Sequence, residues 1–125
     1  MRKLLAVFEA YIELISHDVF LSTHDLAALH LQIRRFPRST RPCVLGTEAV
    51  SHALDIACAF YPKRPLCLQR STILVKMLRR RGVPAHLVIG AQKLPFKAHA
   101  WVEVGGEIIN DRLASREKFH VLEVC

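Results

Sequence analysis

The sequence predicts an α+β domain in which N-terminal helices pack on a small antiparallel sheet. From Arg2 to Arg81 apolar residues recur at helical spacing in four stretches separated by turn formers. After Gly82 the pattern changes to short β-prone runs on either side of Gly105-Gly106. Helices first and strands after is the order of an α+β domain. With 125 residues, 51% of them hydrophobic and 23% charged, residues 1–125 are expected to form one globular domain that buries a real core.

Arg2 to Leu21 reads as an amphipathic helix. Leu4, Leu5, Phe8, Tyr11, Ile12, Ile15 and Val19 share one face, with Glu9, Glu13 and Asp18 elsewhere. Ser22 with Asp25 has the form of a capping arrangement, so a second helix is expected from about Thr23 to Arg35. Phe36 to Gly46, with Pro37 and Pro42, is a basic loop. Thr47 is placed as the N-cap of a third helix that ends near Phe60 and buries Val50, Leu54, Ala57 and Cys58. Pro62 and Pro65 then bias the chain to extended geometry. A fourth helix opens at Cys67 and is stopped by Gly82 and Pro84.

The stripe of that fourth helix is Leu68, Thr72, Val75 and Leu78, widened by Ile73, Leu74 and Met77, so most of it is expected to be buried. Arg79, Arg80 and Arg81 fall in its last turn, where cations complement the helix dipole. Ala85 to Ala91 is an extended run in which Gly90 suggests a bulge. Gln92 to Lys97 is a turn, Ala98 to Asp111 a hairpin, and Phe119 to Val124 a last strand.

Eighteen Lys and Arg against eleven Asp and Glu leave a formal charge of +7. The basic residues are scattered and lack interleaved aromatics. They read first as a solvated surface, then as a face for an acidic peptide, and last as a nucleic-acid site. No run approaches a membrane span, and Glu9 and Glu13 interrupt the Met1 to Phe8 segment too early for a secretory signal. Cys43, Cys58, Cys67 and Cys125 show no paired spacing, so the expectation is a cytoplasmic protein with reduced thiols.

One cysteine is placed for chemistry. Unpaired N–H groups at a helix start favour an anion, and Cys67 stands at that position. Downstream, His99 and Asp111 lie on the two arms of the hairpin, which suggests a Cys67-His99-Asp111 triad. The hairpin loop decides whether the last two meet. A two-residue Gly105-Gly106 turn sets Asp111 opposite Ala100, on the wrong face for His99. A three-residue loop from Val104 pairs Glu103 with Glu107 and sets Asp111 across from His99, at a Cβ separation of about 4.5–5.5 Å. The triad therefore requires the longer loop or an equivalent bulge.

In that triad the Cys67 thiolate attacks a carbonyl, His99 protonates the leaving amine, and Asp111 orients the imidazole. The backbone N–H groups of Cys67 and Leu68 are candidates for an oxyanion hole. No side-chain donor to that hole stands out. Each residue also has an ordinary reading: Cys67 as a small core residue, His99 as a strand residue, Asp111 as a strand end. The remaining histidines lack metal-ligand spacing, and a zinc site on Cys67, His99 and Asp111 is the weakest alternative. No metal or cofactor is expected.

The stretches Cys67-Leu68-x-Arg70-Ser71, Leu78 to Gly82, Leu87 to Gly90, Pro95-Phe96-x-Ala98-His99-Ala100-Trp101-Val102-Glu103 and Asn110-Asp111 resemble the lasso-peptide leader peptidases. These are transglutaminase-like cysteine proteases, and the wider similarity is to the papain and transglutaminase fold. The resemblance implies that Cys67, His99 and Asp111 are the triad. It implies hydrolysis of one peptide bond at the leader–core junction of a ribosomally made precursor peptide. The product then passes to an ATP-dependent, asparagine-synthetase-like macrolactam cyclase. It also implies the stand-alone form of the protease, which works with a separate leader-recognition protein. Two other classes stay open: a transglutaminase-like acyl transferase using the same triad, and a non-catalytic basic module that binds peptide or nucleic acid.

Overall fold

A computed structural model of the chain describes residues 2–23, 26–37, 46–62, 67–93, 96–110 and 119–125. Four helices precede four strands: α1 (Arg2–Thr23), α2 (Leu26–Arg35), α3 (Thr47–Ala59), α4 (Cys67–Arg80), β1 (Ala85–Lys93), β2 (Phe96–Val104), β3 (Glu107–Ile108) and β4 (His120–Val124). The expected α+β order is observed. The strands form one antiparallel sheet in the order β3-β2-β1-β4. The β1–β2 ladder runs unbroken from Ala85↔Val104 to Lys93↔Phe96, so both strands extend further toward their connection than expected.

Helix α4 is the centre of the molecule. It packs against β1 and β2 on one side and against α1 and α3 on the other. For that reason Ser71 to Arg79 are all buried, and no polar stripe is needed. Ile73, Leu74, Val75, Met77 and Leu78 join Val50, Leu54, Ala57, Leu87, Ala100 and Val102 in the main core, on the helix side of the sheet. A smaller cluster of Val88, Trp101 and Phe119 covers the other face.

Two capping expectations are corrected. Ser22 does not face forward; its hydroxyl donates back to the Val19 carbonyl at 2.7 Å, and Asp25 lies outside the described residues. Gly46, not Thr47, is the N-cap of α3, extended at φ −67° and ψ 161° with no side-chain cap.

The arginine run is not a solvated patch either. Arg79 is buried and donates to the carbonyls of Ala85 (3.0 Å), Phe36 (3.3 Å), Cys125 (2.9 Å) and Ile33. Arg80 pairs with Glu9 and Glu13, and Arg81 with Glu9 at 2.6 Å. The carboxylates of α1 thus face inward, and its apolar stripe faces solvent, the reverse of the expected orientation.

Candidate active site

Cys67 is the first helical residue of α4. Its half-buried side chain packs against the helix-side core. One turn further on, the buried Ser71 ties this end of α4 to the sheet. Its hydroxyl donates to the Ala100 carbonyl at 3.2 Å and accepts from the Asn110 amide at 3.0 Å. The Asn110 Oδ1 in turn accepts the Val102 N–H at 2.8 Å. Three hydrogen bonds therefore link the first turns of α4, the middle of β2 and the exit of β3.

The hairpin does not have the three-residue loop that the triad requires. Val104 pairs with Glu107 and Glu103 with Ile108, so the loop is the two-residue Gly105-Gly106 turn. Both glycines have positive φ, 59° and 84°, as a tight hairpin turn demands. Glu103 accordingly does not face Glu107. It is buried, and its carboxylate accepts from the Trp101 indole N–H at 2.7 Å.

The ladder is regular only as far as Ile109, whose N–H donates to the Val102 carbonyl at 3.0 Å. At the next step the Asn110 side chain takes the Val102 N–H that a strand carbonyl would otherwise accept. Asp111 lies outside the described residues.

His99 is half-buried in β2, opposite Gly90 of β1. Its ring stacks on Phe119, with centroids 5.7 Å apart at 29°, and lies 6.1 Å from the Trp101 ring. Ala100 and Val102 belong to the helix-side core and Trp101 to the opposite cluster, so alternation places His99 on the face away from α4. The elements that carry Cys67 and His99 are joined through Ser71, while the two side chains rest against different clusters. The Leu68 and Cys67 backbones, the candidate oxyanion donors, open α4 beside this junction.

Ser71, Asn110, Gly90 and Phe119 shape the site and were not assigned roles from the sequence. Gly90 carried a signal, an isolated glycine in a strand, and the strand does shift register there against β4. The stronger reason for glycine is space. A Cβ at this position would sit 2.8 Å from the Trp101 ring and 2.9 Å from the Phe119 Cβ. Cys58, Cys67 and Cys125 are free thiols, and Cys43 lies outside the described residues. Among the described residues no helix is long and apolar enough to cross a membrane.

Residues 14–124 match the family model described as the transglutaminase-like superfamily. The chain is also 48% identical over 56 residues to the microcin J25-processing protein McjB of Escherichia coli. That match spans 45% of this chain and 27% of the relative's length. No solved structure matches.

Proposed function

Because the chain belongs to the transglutaminase-like superfamily, we propose that it is a cysteine peptidase that removes the leader from a ribosomally synthesised lasso precursor peptide. The relative it matches is, by its name, a processing protein for microcin J25. The observation that carries the reading is Cys67 at the first residue of α4, held beside the His99 strand by the Ser71–Ala100 hydrogen bond.

Cys67 is the nucleophile, His99 the acid and base, and Asp111 the residue that orients the imidazole. The thiolate adds to the scissile carbonyl carbon, with the Cys67 and Leu68 N–H groups facing the developing oxyanion. The C–N bond breaks as the imidazolium gives its proton to the leaving amine, and a thioester forms. Water, deprotonated by His99, adds to the thioester. A carboxylate leaves and the thiolate returns. For this the imidazole would have to leave its stack on Phe119, on the sheet face away from α4, to reach Cys67. The precursor peptide, a separate leader-recognition protein and an ATP-dependent macrolactam cyclase are the partners this reading calls for, with the cytoplasm as its place.

Cys67→Ala, His99→Ala and Asp111→Asn are each expected to lower precursor cleavage by at least about a thousandfold, with circular dichroism and thermal melts close to wild type. Cleavage retained by Cys67→Ala would reject the assignment. The superfamily itself supports a second reading, acyl transfer to an amine. Mass spectrometry in ¹⁸O-labelled water separates the two: hydrolysis labels the new carboxylate, and transfer leaves an unlabelled amide.

A further inference from the structure

The outer face of α1 is apolar and unpartnered. Leu4, Leu5, Phe8, Ile12, Ile15 and Val19 are 59, 61, 59, 62, 47 and 61% exposed. The inner face explains why. Ala6, Ala10 and Leu14 are buried against the core, and the acidic residues are used inward. Glu9 pairs with Arg80 and Arg81, Glu13 with Lys76 and Arg80, and Asp18 accepts the Tyr61 hydroxyl. The other exposed α1 residues with described side chains are Ser16, Ser22 and Thr23, so among the described side chains this face carries no charge.

Leu5, Phe8, Ile12, Ile15 and Val19 follow the three-four spacing of a helix–helix seam. The seam is nearly symmetric about Ile12, with Leu5 and Val19 seven residues to either side. Six large side chains at 47–62% exposure present on the order of 600 Å², the upper end of what a monomer leaves bare. It is also most of the roughly 800 Å² that each partner gives to a stable interface. A helix that lies on lipid carries Lys and Arg along its polar face. Among the described side chains, the charged residues of α1 are acidic and turned into the protein.

We infer that α1 is a self-association face: two copies of this chain pair their α1 helices antiparallel, with the two-fold axis at Ile12. The same patch meets itself, as a two-fold interface requires, and among the described side chains none brings a like charge to the seam.

Light scattering and sedimentation velocity on the full chain test this. Wild type is expected at about twice 14.2 kDa in the micromolar range. Ile12→Asp is expected to be folded by circular dichroism and to associate more than about tenfold more weakly. Phe60→Asp, at an apolar residue 78% exposed outside the seam, should leave the dimer intact. A short bismaleimide should join Ile12→Cys to its mate, identified by peptide mapping. It should not join Leu5→Cys, because antiparallel pairing holds the two copies of that position about 21 Å apart. The inference is overturned by a monomeric wild type, by a dimer that survives Ile12→Asp, or by equal crosslinking at both positions. A monomer that binds phosphatidylcholine vesicles through Ile12 would overturn it as well.

Discussion

Gly90 shows how one residue shapes the surroundings of the candidate base. With no Cβ there, the Trp101 ring and Phe119 close over β1, and His99 has a flat surface to rest on. Gly90→Ala should cost about 1–3 kcal/mol in urea unfolding, because both neighbours are core groups with little room to yield. An unchanged midpoint would refute the close approach. His17 is a second such position. It is buried on α1, and neither ring nitrogen has a hydrogen-bond partner among the described residues. Burial, then the Lys76 ammonium, lowers its pKa from 6.5, and the nearby Asp18 and Glu13 only partly oppose this. The unfolded chain therefore binds this proton more readily, so stability falls as pH drops below about 6.5. His17→Phe should flatten that part of the melting temperature's pH profile. Neither effect was readable from the sequence, where Gly90 and His17 are single letters without their neighbours.

At the scale of elements, the junction of α4 with the hairpin carries the proposed chemistry. The start of α4 could be read because Pro65 and Gly82 bracket it, and local signals of that kind survive in any tertiary setting. The hairpin could not be read in full. Gly105-Gly106 fits more than one loop length, and only the three-residue loop or an equivalent bulge sets Asp111 across from His99. The structure has that turn, and the Asn110 side chain takes the Val102 N–H at the end of the ladder, while Asp111 lies outside the described residues. Ser71 and Asn110 lie 39 positions apart, so nothing in the sequence couples them. Ser71→Ala and Asn110→Ala are each expected to cost about 1 kcal/mol of stability. The double variant should cost less than the sum, since both belong to one network. Both should lower kcat more than they raise KM. Additive costs with unchanged kcat would reduce the network to packing.

At the scale of the molecule, the α+β order and the buried α4 followed from periodicity and from where Gly and Pro stand. The orientation of α1 did not. Its apolar stripe and its acidic side are equally periodic, and the Lys76, Arg80 and Arg81 partners on α4 hold the acidic side inward. The Arg79 to Arg81 run misled for the same reason: Arg80 and Arg81 pair with Glu9 and Glu13 within the fold, and such pairs leave the net charge of +7 unchanged.

The buried Arg79 has a wider consequence. Its guanidinium gathers carbonyls from the end of α2, the start of β1 and the residue after β4, stretches that lie up to 46 positions from Arg79 in the sequence. Peeling any one of them away leaves a buried guanidinium short of an acceptor. The outer strand and the last turn of α2 are thereby locked into a single unit of breathing, which guards the sheet from fraying at its far margin.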